Sequence, residues 1–334
     1  MHEKRWLYAK MPKIMPKIMK ILIVKTSSLG DVIHCLPVIN DILAVYPNAQ
    51  IDWVVEQSFA DIPRLHPAIH EVFTVAFRLW RKQLFSFKTW SEINQFKHLI
   101  VQNNYDAVID AQGLLKSALI TRLANGVKHG YDKQSIREAV ASKFYDKTHA
   151  ISYQQHAVSR NRTLAALSLA YAPPTNAPDY GIQARLNSTE IPNKPFVIAL
   201  HGTSRDSKLW PIEHWINLGK ALKNSQLNMV LPWSNPTELV RAELIASTLE
   251  NAIVLPKSSI AELAAVISQA KAAVGVDTGL SHLAAALNIP TIAIYTDTNP
   301  ALTGVMGSQA YAVNLGNIGE IPSVESVLAQ LNRA

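Results

Sequence analysis

Short apolar runs alternate along this chain with longer segments in which apolar residues recur every three or four positions. This alternation predicts an α/β protein, because neighbouring parallel strands have to be joined by crossovers, which are usually helices. In the first half, strands are predicted at 21–24, 51–55, 72–75 and 106–110, and helices at 31–46 and 114–124. In the second half, strands are predicted at 196–200, 228–231, 252–255, 272–276 and 291–295, and helices at 214–223, 236–249, 260–270, 280–286 and 325–332.

The periodicity is lost between 171 and 195, where five prolines are typical of an interdomain linker. A length of 334 residues also exceeds what one hydrophobic core usually organises. We therefore predict two Rossmann-like, doubly wound parallel-sheet domains that face a central cleft. The first domain is expected at 19–172, the linker at 173–195 and the second domain at 196–334. Residues 1–18, which are basic and repeat the letters MPKI, are expected to be a tail.

The net charge of +7 favours anionic partners, such as nucleic acid, phosphorylated small molecules or an acidic membrane surface, without choosing among them. Cys35, the one cysteine, cannot form an intrachain disulfide and lies in an apolar helical pattern, so we expect a core residue in a reducing compartment. No apolar run approaches the length of a membrane-spanning helix, and a signal peptide is not expected.

Several motifs of phosphate and metal sites are missing from the sequence. Neither G-x-G-x-x-G nor G-x-x-x-x-G-K-[ST] occurs, and C-x-x-C and H-E-x-x-H are absent as well. The chain also has no D-x-D, the carboxylate pair with which many sugar transferases hold a nucleotide diphosphate through a cation. Any phosphates bound here are therefore expected to contact helix ends and basic side chains.

Two segments that follow predicted strands suit that task. After Val276, the sequence Asp-Thr-Gly-Leu-Ser-His opens a helix whose free amides could hold phosphate oxygens, although a simple capped helix start reads the same way. His282, one turn in, could contact a phosphate or be a core histidine. In 201–211, hydroxyl residues precede Arg205 and Lys208, which predicts a cationic loop over the cleft unless the loop is merely solvated.

Two further segments carry candidate chemistry in the first half. Asp31 follows the first strand in the first turn of a helix, where the helix dipole keeps a carboxylate ionised. It could act as a general base or only cap the helix, and the geometry has to decide. The segment 77–88 interleaves aromatic residues with cations, which suits a membrane surface or an anionic lipid, or a loop with snorkelling Lys and Arg.

Four separated segments together resemble one family, the ADP-heptose:lipopolysaccharide heptosyltransferases. They read KILIVKTSSLGDVIHCLP, DAQGLLKSALITRLANGVKHG, LHGTSRDSKLWPIEHW and VGVDTGLSHLAAAL, and the resemblance runs from Met19 to the C-terminus. It implies a GT-B fold and a cytoplasmic enzyme, peripheral on the inner membrane, that needs no metal cofactor. The implied reaction moves L-glycero-D-manno-heptose from ADP-heptose to the first Kdo of Kdo2-lipid A, with inversion.

The resemblance also implies roles for particular residues. Asp31 matches a general base that deprotonates the acceptor hydroxyl, and Lys208 matches a lysine that neutralises the departing ADP diphosphate. The implied donor-binding residues are Thr203, Ser204, Lys208, Glu238, Ser258, Asp277, Thr278, Gly279 and His282. The residues expected on the acceptor side are Ser27, Ser28, Gly30, Arg78, Arg81 and Lys82.

Three positions depart from the family pattern. Ser204 stands where a second threonine is usual, and this keeps the hydroxyl. Ser258 replaces a methionine that lines the adenosine pocket, and Asn299 replaces an aspartate before Pro300, to which we assign no role. Three alternatives remain open: a sister heptosyltransferase acting on another core sugar, a GT-B-fold nucleotide-sugar epimerase, and a binding protein without catalysis.

Overall fold

The structure is a computed structural model that describes residues 18–184, 195–307 and 311–334. The predicted tail at 1–18 therefore falls almost wholly outside the described residues, and so does most of the second half of the predicted linker. The described part of that linker, from 173 to 184, contains neither helix nor strand.

The first half of the chain forms a six-stranded parallel sheet in the order β3-β2-β1-β4-β5-β6. Its strands are β1 (Lys20–Val24), β2 (Gln50–Glu56), β3 (Ile69–Val75), β4 (Asn104–Asp110), β5 (Asn125–Tyr131) and β6 (Lys147–His149). Its helices are α1 (Leu29–Cys35), α2 (Pro37–Val45), α3 (Asp61–Arg64), α4 (Phe77–Trp80), α5 (Phe87–Val101), α6 (Leu115–Leu123) and α7 (Ala157–Leu169).

The second half forms another six-stranded parallel sheet in the order β12-β11-β10-β7-β8-β9. Its strands are β7 (Phe196–Leu200), β8 (Asn228–Leu231), β9 (Ala252–Val254), β10 (Ala272–Val276), β11 (Thr291–Ile294) and β12 (Ala312–Leu315). Its helices are α8 (Ile212–Asn224), α9 (Pro236–Ala246), α10 (Ile260–Ile267), α11 (Gly279–Ala286), α12 (Pro300–Thr303) and α13 (Val324–Leu331).

Both sheets share one topology. In each, the first and fourth strands of the half lie side by side at the centre, as the pairs β1–β4 and β7–β10 show. Chain order runs outward in opposite directions from that pair, so each sheet has a switch point where open α/β sheets bind ligands. The predicted fold class, two Rossmann-like parallel sheets facing a cleft, is confirmed. The domain boundaries at 172 and 196 stay a prediction.

The single helix predicted at 31–46 is wrong, because two helices occupy that segment. α1 ends at Cys35 and α2 begins at Pro37. Proline has no N–H to continue the helical hydrogen bonds, and its ring clashes with the carbonyl four residues earlier, so it suits the first position of a new helix. The break separates the segment that carries Asp31 from the longer segment behind it.

Several elements were not predicted, among them α3, α5, α7, α12, β5, β6 and β12. Strand β5 reads NGVKHGY, in which two glycines and two basic residues hide the strand pattern. Helix α7 carries polar residues on much of its surface, yet Asn161 and Arg162 are buried, the latter through an ion pair in which Nε lies 2.7 Å from Asp41 Oδ2. Without these elements, the loops at the end of the first sheet could not be placed.

The core is continuous across the two halves. One cluster of buried side chains includes Ile33 and Cys35 of α1 together with Leu283 and Ala284 of α11. Cys35 is fully buried, as predicted, and burial raises the pKa of its thiol to about 12. Within the described residues, no helix is long and apolar enough to cross a membrane.

Candidate active site

The two sheets meet through the helices that follow their central strands. α1 leaves β1 and α11 leaves β10, and their first turns are in contact through Gly30 and Gly279. A Cβ atom added to Gly279 would lie 2.6 Å from the Leu29 side chain, and one added to Gly30 would lie 3.0 Å from Cδ2 of His282. Glycine is therefore required at Gly279 for this close approach, which brings the N-termini of two helices to one place.

Asp31 lies on the first-half side of this contact. Its Oδ2 accepts hydrogen bonds from the backbone N–H of Ser28 at 2.8 Å and from the Ser28 hydroxyl at 2.9 Å. Both bonds fall on one carboxylate oxygen, and Oδ1 accepts none from the described residues. The capping interpretation and the general-base interpretation are thus compatible, because the cap fixes the carboxylate and leaves one oxygen for a ligand.

A polar cavity at the carboxyl end of the first sheet extends from Asp31. Three cations, Lys25, Arg137 and Arg160, line it together with Gln112, Tyr131, Tyr153 and Asn161. Lys25 Nζ donates to the carbonyl of Ala111 at 2.8 Å, and the Arg160 guanidinium stacks 4.1 Å from the centre of the Tyr153 ring. Three cations around one carboxylate suit an anionic ligand whose hydroxyl reaches Asp31.

Sequence reasoning missed Arg137 and Arg160. Both lie beyond β5, in the loop that follows it and at the start of α7, and neither element was predicted. The usable signal was the run VKHG, since a strand there would have placed the next loop at the edge of the sheet where Asp31 lies. Lys25 was quoted in a motif but given no role.

The predicted acceptor residues of the first half fall into two groups. Ser27, Ser28 and Gly30 belong to the turn that carries Asp31, as the sequence placed them. Arg78, Arg81 and Lys82 lie in and after α4 and do not line the Asp31 cavity. The Arg78 guanidinium lies 5.5 Å from the centre of the Phe59 ring.

Arg81 lines an apolar groove between α4, α5 and α6. The other lining residues are Val75, Phe77, Trp80, Leu84, Ile93, Phe96, Lys97, Lys116, Leu119, Ile120 and Leu123. Lys116 connects this groove to the active site, because its Nζ lies 3.4 Å from Ser27 Oγ and 5.6 Å from the centre of the Phe77 ring. Phe85 and Phe87, beside the groove, are fully and 89% exposed, and large exposed apolar surfaces of this kind mark interaction sites.

On the second-half side, Lys208 and Asp277 form a largely buried ion pair. Lys208 Nζ lies 2.5 Å from Asp277 Oδ2, which also accepts a hydrogen bond from the Thr298 hydroxyl at 2.6 Å. The Thr203 hydroxyl donates to the backbone carbonyl of Asp277 at 2.9 Å. Thr278 follows as the N-cap of α11, so a lysine, a hydroxyl group and free helical amides converge before Gly279.

Glu238 lines a cavity of the second half. Its Oε2 accepts from the backbone N–H and the hydroxyl of Ser234, both at 2.7 Å. Gly202 makes room for it, since a Cβ there would lie 2.7 Å from the carboxylate carbon of Glu238. Thr203 and Ser204 line the same cavity. Ser258 lies in the loop before α10, where its hydroxyl donates to the Pro256 carbonyl at 2.9 Å, and it lines neither this cavity nor that of Asp31.

His282 lies in α11 at the contact with α1. Burial lowers the pKa of His282 to about 4, which keeps the ring neutral, although the charge of Asp277 acts in the opposite direction. Its Nδ1 lies 3.2 Å from Nε2 of His34 in α1. His34 was not singled out from the sequence, where it appears only as one polar residue within an apolar helix.

Two halves with one topology, a switch point in each and a charged cleft between them are the features of the GT-B fold. The model of glycosyltransferase family 9 (heptosyltransferase) matches residues 93–330. The chain belongs to this family and is therefore a glycosyltransferase.

Individual relatives agree with this assignment. The lipopolysaccharide heptosyltransferase 1 of Salmonella typhimurium is 46% identical over 307 residues, which cover 90% of this chain and 97% of the relative. The Escherichia coli heptosyltransferase WaaC with ADP has a TM-score of 0.86 and 44% identity, with 94% of this chain and 99% of WaaC covered. The lipopolysaccharide heptosyltransferase 3 of Escherichia coli K12 is more distant, at 25% identity over 81% of this chain and 80% of that relative.

Proposed function

We propose that this chain transfers L-glycero-D-manno-heptose from ADP-heptose to the first Kdo of Kdo2-lipid A, with inversion at the anomeric carbon. The observation that carries the proposal is the meeting of α1 and α11, where a carboxylate with one free oxygen lies across from a lysine and a helix N-terminus. A further support is the identity of 46% to a relative named for heptosyltransferase 1, compared with 25% to one named for heptosyltransferase 3.

Asp31 acts as the general base in this proposal. Its Oδ1 accepts the proton of the acceptor hydroxyl while the hydroxyl oxygen bonds to the anomeric carbon. The bond from that carbon to the diphosphate breaks on the opposite face, and its electron pair leaves with ADP. The bonds from Ser28 to Oδ2 hold the carboxylate in place, so its reacting oxygen needs no reorganisation.

Lys208 stabilises the leaving diphosphate. It is held at the start of α11 by Asp277, and binding of the diphosphate lets its ammonium group exchange one anionic partner for another. Thr298 remains as a donor to Asp277 after that exchange. The amides after Thr278 supply fixed partial positive charge, which is most effective where charge develops on the leaving group. In this role the cations replace a metal ion, and we expect turnover to survive treatment with EDTA.

The acceptor is expected to contact both cationic regions of the first half. Lys25, Arg137 and Arg160 suit the carboxylate groups of the Kdo sugars close to Asp31. Arg78, Arg81 and Lys82, with the apolar groove beside them, suit the phosphates and acyl chains of the lipid. Such a surface also accounts for a peripheral, cytoplasmic position on an anionic inner membrane, since cations and exposed aromatic residues bind anionic lipid together.

The experiment that tests the proposal measures ADP release from ADP-heptose with and without Kdo2-lipid A. We expect release only with this acceptor, and much less with a core that already carries the first heptose. Release that requires the heptosylated core would indicate a sister transferase. Formation of free sugar or an epimer without acceptor would indicate an epimerase, and binding without turnover would indicate a protein that has lost catalysis.

A further inference from the structure

Three histidines from three helices meet at the contact between the halves. His34 belongs to α1, His282 to α11, and His156 is the N-cap of α7. The ring centres of His34 and His282 are 4.4 Å apart, and those of His34 and His156 are 5.6 Å apart, both edge to face. The first pair is hydrogen-bonded, with 3.2 Å between Nε2 of His34 and Nδ1 of His282.

The surroundings of His34 decide which ring donates. Both rings are buried, and burial lowers the pKa of each, so both are neutral and only one of the two facing nitrogens carries a hydrogen. Nδ1 of His34 is buried and has no hydrogen-bond partner among the described residues. A buried N–H without an acceptor is rarer in proteins than an unused lone pair, so the hydrogen of His34 belongs on Nε2. His34 is then the donor and Nδ1 of His282 the acceptor.

His156 leaves this arrangement unchanged. Its Nδ1 accepts from the backbone N–H of Val158 at 3.2 Å, so its hydrogen lies on Nε2, which donates to the Gly304 carbonyl at 3.0 Å. Both nitrogens of His156 are therefore used. Its ring packs against His34 without offering an acceptor to Nδ1 of His34.

The hydrogen bond from His34 determines which nitrogen of His282 carries the hydrogen at the active site. Since Nδ1 accepts, the hydrogen of the neutral ring has to lie on Nε2. A Cβ added to Gly30, the residue before Asp31, would lie 3.5 Å from this nitrogen. Nε2 forms no hydrogen bond with the described residues, and unlike Nδ1 of His34 it is not among the buried atoms without a partner.

We infer that His34 is a positioning residue, which keeps His282 in the tautomer with its hydrogen on Nε2 and so presents a neutral N–H donor to the diphosphate of the donor substrate. The tautomer follows from the hydrogen bond between two buried, neutral rings, whereas the assignment of the diphosphate as the group that receives this hydrogen bond rests on the proposed function. The opposite tautomer would direct a lone pair at phosphate oxygens, which would repel them. His34 thus influences binding of the donor substrate from the first half of the protein, although the donor site belongs to the second half.

Nuclear magnetic resonance of the full chain labelled with [15N]histidine tests the tautomer directly. The signals of His282 are assigned with a His282→Gln variant, and the chemical shifts of its two nitrogens tell which one carries the hydrogen. We expect the hydrogen on Nε2 in the wild type, with and without ADP, and a mixture of tautomers in His34→Phe. A hydrogen on Nδ1 in the wild type, or an unchanged tautomer in His34→Phe, would overturn the inference.

Affinity for ADP, measured by titration calorimetry, provides the second readout. His34→Phe should weaken binding roughly fivefold, the effect of one lost hydrogen bond. In His34→Gln, the side-chain amide can still donate to Nδ1 of His282, so affinity and tautomer should return towards the wild type. His98→Gln in α5, which is exposed, is the matched control. If both His34 variants lose affinity equally while folded, His34 is only a packing residue.

The readouts separate this inference from the proposed function. If the wild type has the Nε2–H tautomer and binds ADP but transfers no heptose, the proposed function fails and the positioning role of His34 stands. If heptose transfer occurs but the hydrogen of His282 lies on Nδ1, the proposed function stands and the positioning role of His34 fails. If His34→Phe does not fold, the tautomer of His282 in the wild type and the ADP affinity of His34→Gln still test the inference.

Discussion

The two halves have the same sheet order but differ in how charged side chains are arranged at their switch points. In the second half, the lysine at the cleft is already paired, with Lys208 Nζ 2.5 Å from Asp277 Oδ2. In the first half, Lys25, Arg137 and Arg160 surround a single carboxylate, that of Asp31. One topology can therefore hold a cation in an exchangeable ion pair or place several cations around an anionic ligand, depending on the loops that follow the strands.

Removing the carboxylate at the first switch point should have the largest effect. Asp31→Ala is expected to lower kcat about a thousandfold, because the acceptor hydroxyl loses its general base. The measurement is ADP release with Kdo2-lipid A at saturating substrates. Affinity for ADP should change little, and a kcat within threefold of the wild type would exclude Asp31 as the base.

The ion pair of the second half comes next. Lys208→Ala should lower kcat/KM for ADP-heptose about a hundredfold, because the leaving diphosphate loses a stabilising cation. Steady-state kinetics with varied donor checks this, and Asp277→Asn shows whether the pair itself matters. Lys223, whose Nζ lies 2.5 Å from Glu250 Oε2 on the exposed surface, offers a matched control in Lys223→Ala. Equal, small effects of both lysine substitutions would contradict the assigned role.

The cations of the first half should affect the acceptor rather than the donor. Arg160→Ala is expected to raise KM for Kdo2-lipid A about tenfold, since a charge-assisted contact is lost, and to leave KM for ADP-heptose unchanged. Arg137→Ala should behave in the same way. An increase in the KM for ADP-heptose of either variant would show that these cations bind the donor substrate, which contradicts their assignment to the acceptor.

The smallest effect concerns stability and pH. Burial, helped by the charge of Arg241, lowers the pKa of His201 to about 4, below its value of about 6.5 in the unfolded chain. The contribution of His201 to the free energy of unfolding is therefore fully present above pH 6.5. It is lost as pH falls towards 4, because in this range the unfolded chain takes up the proton and the folded protein does not. At pH 5 the loss of unfolding free energy from His201 amounts to about 2 kcal/mol. The measurement is the loss of unfolding free energy between pH 7.5 and 5, compared between the wild type and a folded His201→Gln variant, because other buried histidines also have a lowered pKa. An equal loss in both proteins would exclude His201 as a source.

Much of the fold was predictable because buried parallel strands are short, continuous apolar runs. Ile21–Val24 and Ala272–Val276 have this form, and β1 and β10 were predicted to within one residue. The helices behind them were predicted from 31 and 280 and begin one or two residues earlier, at Leu29 and Gly279. β5 was not, because its KHG ending lacks the pattern of a buried strand. Missing β5 and α7 then concealed Arg137 and Arg160, although the cavity they line begins at a residue that the sequence did indicate.

Local sequence patterns were enough to predict which residues lie at the carboxyl ends of the central strands, because strand direction and chain order follow from these patterns. Asp31, Thr278 and Gly279 were found in this way. The folded structure was needed to show that Lys208 pairs with Asp277, 69 residues away, and that His34 pairs with His282, 248 residues away. The first pair depends on β7 and β10 lying side by side in one sheet, and the second depends on how the two sheets pack against each other. Local hydrophobic periodicity carries no information about that packing.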